Sequence, residues 1–228
     1  MMHVLLSVLW LVAPSAVADA PPQVYVLESS LAQFEIGYTF GTHTGKATGL
    51  SGQVIWKKDA VHGDGFRGEF LVPIERIDTG DPKQNCHLRE ALGLDYGVSR
   101  FPEEHVCDEG HQLPTTGGDA IVFPLIKFSL TDVRARDSTA VVLSSTQPAT
   151  VDVEGQWSIH GARKAGKLTF NLLASDVNTV RAIGTAEVRL ADFGVEVKPA
   201  KILFMKIAVA ETAKVKLELL FRVAGLKR

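Results

Sequence analysis

Apolar and polar residues alternate with a period of two through segment after segment of this chain. In Phe34-Glu35-Ile36-Gly37-Tyr38-Thr39-Phe40 every even position is large and apolar. Lys167-Leu168-Thr169-Phe170-Asn171-Leu172 and Lys214-Val215-Lys216-Leu217-Glu218-Leu219 alternate in the same way. Successive side chains of a strand point to opposite faces, so this period places one face on an interior and the other in water. Segments 23–29, 50–57, 65–73, 124–133, 139–144, 149–160, 180–191 and 201–210 read as further strands. Gly63-Asp64-Gly65 and Gly161 are among the breaks between them. Helical periodicity is confined to 84–93 (QNCHLREALG), where Leu88 and Leu92 stand four apart and Gly93 is a stop. Many short strands without crossover helices predict an all-β, antiparallel barrel or sandwich. Residues 95–122 are rich in acids, prolines and glycines, with Gly117-Gly118 near the end. A loop of this length is either functional or a misread element.

The first twenty residues do not belong to this pattern. Val4 to Val12 is almost wholly apolar, Pro14 breaks the run, and Ala16-Val17-Ala18 supplies small residues for a signal peptidase. The run is too short for a span of about 20 residues. It reads as a signal peptide, residues 1–18, although its n-region carries no Lys or Arg. No later segment is apolar enough to span, so the processed chain has no stable membrane anchor. With no internal repeat and no low-complexity linker, residues 19–228 form one domain, periplasmic or secreted.

Charge excludes one class of partner. The chain has 24 Lys+Arg against 26 Asp+Glu, a net charge of -2. A general nucleic-acid binder is usually clearly basic, so no nucleic acid is expected. Motifs of enzymes are also missing: there is no G-x-S-x-G, H-E-x-x-H, P-loop or G-x-G-x-x-G. No catalytic residue is assigned, and the expectation is a protein that is not an enzyme.

The two cysteines, Cys86 and Cys107, are informative. In an oxidising compartment they predict a disulfide tying the helical segment to the insertion. The competing reading is a metal site drawn from Cys86, His87, His105, Cys107 and His111, since zinc takes Cys and His ligands in fours. Adjacent Cys86 and His87 rarely both reach one ion, and His105-x-Cys107-x3-His111 matches no standard spacing. The disulfide is favoured and no metal is assigned. A metal-binding enzyme built on the insertion remains the alternative.

The order of several short motifs resembles the YceI-like family, over roughly residues 24–220. The motifs are Phe34-Glu35-Ile36, Gly52-Gln53-Val54, Ile77-Asp78-Thr79-Gly80-Asp81, His87-Leu88, Phe123-Pro124-Leu125-Ile126-Lys127-Phe128, Gly155 to Gly161 (GQWSIHG) and Asp192-Phe193-Gly194. Cys86 before His87, the insertion at 95–122 and Trp157-Ser158 depart from the family pattern. The resemblance implies an exported lipocalin-like barrel with a short helix and a long insertion near its mouth. It would hold an isoprenoid-like or other amphipathic lipid, such as an isoprenoid quinone, as carrier or sequestering agent. With the apolar faces inward, the lining would be Phe34, Ile36, Tyr38, Trp56, Phe128, Trp157, Leu168, Phe170, Leu172, Leu190, Met205 and Leu217. The same alternation describes an ordinary filled barrel, which would leave an interaction module whose insertion is the contact surface. His87 would either meet the ligand head group or pin the helix, and Asp78, Thr79 and Asp81 would form a turn. Dimers are common in the family, so a homodimer is allowed, though no interface is legible.

Overall fold

In a computed structural model, residues 22–57, 65–138, 140–197, 200–202, 205–207 and 209–225 are described. The expected signal segment and the Gly63-Asp64 turn lie outside them. The strands are β1 (Gln23–Tyr38), β2 (Gly41–Ala47), β3 (Ser51–Trp56), β4 (Phe66–Pro73), β5 (Ile77–Asp78), β6 (Leu125–Ala135), β7 (Ala149–Ile159), β8 (Ala162–Asp176), β9 (Thr179–Arg189), β10 (Ala200–Ile202), β11 (Met205–Ile207) and β12 (Val209–Val223). One helix, α1 (Pro82–Gly93), lies between β5 and β6. No helix among the described residues is long and apolar enough to cross a membrane.

Eight strands form an antiparallel barrel in the order β12-β9-β8-β7-β6-β4-β3-β1, and β1 pairs with β12 to close it. β2 adds to the upper half of β1, and β5 adds to β2. β10 and β11 form a separate two-stranded sheet. The expected all-β barrel is thus present, with differences in detail. Segments 23–29 and 34–38 are parts of one strand, interrupted by a register shift between Leu27 and Ser29, while Thr39 and Phe40 turn toward β2 and Phe40 is exposed. The 201–210 segment is two short strands and the beginning of β12. Of the expected segment 139–144, the described residues 140–144 form no strand; Val141 and Leu143 pack against the barrel core from the loop joining β6 to β7. β2 was not expected from its small and polar sequence, GTHTGKA.

The register shift changes which side chains face inward. Tyr25 is buried before it, whereas Ala32 and Ile36 are buried after it. The interior accordingly divides into two cores. One fills the half of the barrel around Phe66, Phe128, Val151, Phe170 and Phe221. The other packs α1 and its following segment onto the opposite end, through Ile74, Leu92, Leu94, Phe101, Val106 and Ile159. Trp157 and Leu217 touch both cores.

Aromatic rings lie flat across glycines of the neighbouring strand. Phe170 pairs with Gly184, and a Cβ added to Gly184 would stand 2.3 Å from the Phe170 ring and 2.6 Å from the Thr169 carbonyl. Phe70 covers Gly52 in the same way, 2.4 Å from such a Cβ. The missing side chain makes room for a large ring against the wall, a device that pins register in curved sheets.

Helix α1 begins at Pro82, two residues before the expected 84–93 segment, and ends at Gly93 as expected. Pro82 occupies the first helical position, and the Asp81 carboxylate accepts from the Lys83 and Gln84 amides at 2.8 and 3.1 Å. The preceding turn is locked by Asn85, whose Oδ1 accepts from both the Thr79 amide and the Thr79 hydroxyl at 2.8 Å. Asp78 accepts from the Gly80 amide at 2.9 Å, and Gly80 has φ +80. Asp78, Thr79 and Asp81 are therefore turn and cap residues.

The Cys86–Cys107 disulfide joins α1 to the segment after it, across a sequence separation of 21 residues. That segment, 94–124, is irregular yet well anchored. His160 Nε2 meets the Leu94 carbonyl at 2.7 Å, and the Tyr96 hydroxyl donates to the Ala91 carbonyl at 2.5 Å. Burial pushes the Tyr96 phenol up to about 12. Asp119 binds Ser99 and Arg100, each at 3.0 Å.

Two expectations arise from this architecture. Gly184→Ala is expected to destabilise the fold by about 1–3 kcal/mol, as overpacking does. Adding Phe170→Leu should recover part of the loss, because the ring is one of the two groups the new methyl would strike; urea unfolding of both variants checks this. Replacing Cys86 and Cys107 together by alanine is expected to lower stability by about 3 kcal/mol, since a cross-link over a loop of this size restrains the unfolded chain. Guanidinium unfolding at equilibrium measures it, and an unchanged midpoint would mean the packing contacts alone hold the segment.

Candidate functional site

The interior of the barrel holds a cavity of about 140 Å³. Every residue lining it is apolar or aromatic, and none carries a charge. Trp56, Phe128, Trp157, Leu168, Phe170, Leu172 and Leu217, all expected to face inward, do line it. They come from β3, β6, β7, β8 and β12, which converge because the sheet is closed. Phe66, Phe70 and Phe221 add rings that the sequence reading did not single out, and Val141 and Leu143 enter from the β6–β7 loop. Phe70 and Phe221 meet edge to face at 5.9 Å, and Trp56 stacks on Phe66 at 5.5 Å. Such ring pairs favour offset and edge geometries that stiffen a wall.

Four expected lining residues lie elsewhere. Phe34 is packed against the second core, at the α1 end, and does not reach the cavity. Ile36 is buried further along β1, and Tyr38 stacks on His43 with centroids 4.2 Å apart. Leu190 lies in a short 3-10 turn after β9 and packs on the second core. Phe34, Ile36 and Tyr38 share one cause: they occupy the end of β1 that pairs with β2, beyond the register shift, away from the strand segments that line the cavity. Met205 belongs to β11, and its side chain lies outside the described residues.

His87 does not line the cavity either. It stands on α1 with its Nδ1 2.9 Å from Glu90 Oε2, and its ring is tilted against that of His105 at 4.6 Å. His105 Nδ1 lies 3.3 Å from the same Glu90 oxygen, and the Val106 amide donates to Glu90 Oε1 at 2.8 Å. Glu90 is 0% exposed. Burial alone would raise its carboxyl, but the bonds from His87, Val106 and His105 outweigh burial and hold it below the usual carboxylate range. Glu90 was missed in the sequence because a charged residue on an amphipathic helix ordinarily faces water. Its one trace in the sequence is the i, i+3 spacing from His87.

Cys86 and Cys107 are bonded to each other, and no free cysteine occurs among the described residues. Neither sulfur is therefore available as a thiolate ligand. A metal centre of cysteine and histidine in fours is not formed here.

No protein-family model matches the sequence, and no curated protein matches it. Solved structures do match in shape. A polyisoprenoid-binding domain from Saccharophagus degradans, implicated in plant cell wall breakdown, superimposes with a TM-score of 0.60 at 14% identity, over 88% of this chain and 99% of that one. BcnA of Burkholderia cenocepacia gives a TM-score of 0.56 at 14% identity, over 84% of this chain and 95% of its own. At this level of identity the match speaks for architecture alone. The chain has an antiparallel β-barrel fold resembling that of these two proteins.

Proposed function

We propose that the chain is an exported, non-enzymatic lipid-binding protein that holds one isoprenoid-like or other amphipathic molecule in its barrel. The observation that carries this reading is the cavity, closed in by eight strands and lined by apolar and aromatic side chains throughout. Burying a hydrocarbon chain in such a place gains about 25 cal/mol per Å² removed from water. The disulfide fits export, because such bonds persist in oxidising compartments. The family resemblance of the motifs and the likeness in shape to a polyisoprenoid-binding domain point the same way.

The cavity volume qualifies the geometry of binding. About 140 Å³ is ring-sized, since an engineered apolar cavity of about 150 Å³ admits benzene. Ligand pockets more often run to about 300–1,000 Å³. A long isoprenoid chain therefore needs interior side chains to withdraw. Val141 and Leu143 are the side chains placed to do so, because they enter from a loop rather than from the sheet. The same small volume favours the second reading, a barrel filled by its own side chains with the 94–124 segment as a contact surface.

The test uses the two tryptophans of the processed chain. Trp56 and Trp157 both line the cavity, and Trp10 is lost with the signal segment. Titrating a chain that begins at Asp19 with an isoprenoid quinone is expected to quench its fluorescence at one equivalent. Native mass spectrometry should then show the added ligand mass, and Val141→Ala with Leu143→Ala should bind longer chains more readily. Absence of quenching together with a clean apo mass would favour the filled barrel.

A further inference from the structure

The His87–Glu90–His105 cluster is not needed for the lipid reading, and its geometry is specific. Two imidazole Nδ1 atoms, from different segments, converge on one carboxylate oxygen of a fully buried glutamate. We propose that His87, Glu90 and His105 form a binding site for a zinc-like divalent cation.

Distances support it. Zinc binds imidazole nitrogen and carboxylate oxygen at about 2.0–2.2 Å, so tetrahedral ligands stand roughly 3.3 Å from one another. The two nitrogens lie 2.9 and 3.3 Å from Glu90 Oε2. An ion seated among the three atoms would replace the two nitrogen–oxygen contacts by bonds to the metal, and the two rings already stand 4.6 Å apart by centroid. Two histidines and a glutamate are a recognised zinc donor set, with the fourth position left to water. His105, 52% exposed along its side chain, keeps that position within reach of solvent.

The surroundings are those of a prepared ligand set. Glu90 Oε1 is held by the Val106 amide, which fixes the plane of the carboxylate, as outer partners of metal ligands do. His87 and Glu90 share one face of α1, three residues apart. His105 and Val106 come from the segment that the disulfide ties to the same helix. Cys107 Sγ lies within 4.8 Å of the ligand atoms of His87 and Glu90. Being bonded to Cys86, it positions His105 without ligating. The ion so held would be a second clasp across the junction of α1 and the segment, over a carboxylate that is costly to bury without partners.

The experiment is isothermal titration of the oxidised protein with zinc chloride, repeated with cobalt(II) as a visible probe of four-coordination. One zinc per chain is expected, with the intense visible absorption of tetrahedral cobalt. His87→Ala and His105→Ala should each weaken zinc by about tenfold or more, while His43→Ala, on β2, should leave it unchanged. Circular dichroism and an intact disulfide by mass establish that each variant is folded. Should His87→Ala fail to fold, the more exposed His105→Ala decides the matter. No stoichiometric binding, binding indifferent to His105, or binding that appears only after reduction of the disulfide would each overturn the proposal. None of these outcomes bears on quinone binding inside the barrel.

Discussion

The ladder between β1 and β12 is the constraint on which the rest of the molecule depends. It runs from Tyr25 opposite Val223 to Tyr38 opposite Val209 and converts an open twisted sheet into a tube. Closure removes the free edges that would otherwise recruit other strands. It also joins the first and last strands of the barrel, so the interior exists only when nearly the whole chain is in place. The second edge of β1 is divided, its first residues bonding to β3 and its last to β2. The register shift near Glu28 lies between these two partners. One irregularity therefore separates two halves of the barrel with different neighbours, different inward residues and different contents.

The two ends are held by unlike forces. At one end α1 is set by the Asp81 cap and the Asn85-locked turn, then covered by the 94–124 segment. Ile74 and Leu94, 1% and 0% exposed, are the most deeply buried of the apolar residues packed there. The disulfide adds a restraint that does not depend on packing. Glu90 sits among these apolar groups as a carboxylate with every bond directed at this junction: two histidines and one backbone amide. A buried charge with geometry this particular stabilises one arrangement of helix and segment over others, because misplacing either leaves it unpaired.

Strand identity was largely legible in the sequence because period-two alternation survives wherever one face is buried. It failed where that condition fails. β2 hides in GTHTGKA because its inward residues are Ala47, Gly45 and His43, none of them large and apolar, and the Phe34 ring covers the glycine. Val141 and Leu143 alternate like a strand, yet they belong to a loop whose apolar side chains dip inward. The lining was legible for Phe128, Leu168 and Phe170 and not for Phe34 or Ile36, since a bulge and a plug at one end leave no trace in a local pattern. The disulfide was readable from compartment and count. The Glu90 cluster was not, because His105, 15 residues beyond Glu90, meets it only after the chain has left α1 and doubled back through irregular backbone.

The difference between the ends also says how the interior can be reached. β6 and β7 both have their α1-side ends in the second core, through Ile126 and Ile159, so their joining loop, 136–148, lies at the far end. There the described backbone bonds are few, among them Ala174 to Ser144 at 2.9 Å and Arg136 to Thr150 at 3.0 Å. Moving Val141 and Leu143 costs local contacts and exposes two apolar side chains, on the order of 1.5–3 kcal/mol each if both were fully buried. Moving α1 would demand breaking a disulfide, an N-cap and the bonds of a buried carboxylate together. An apolar ligand that gains about 25 cal/mol per Å² on burial offsets the first cost within a few hundred Å² of contact. The two ends thus differ in what holds them: local packing of two loop side chains at the far end, and a disulfide, an N-cap and a buried carboxylate at the α1 end.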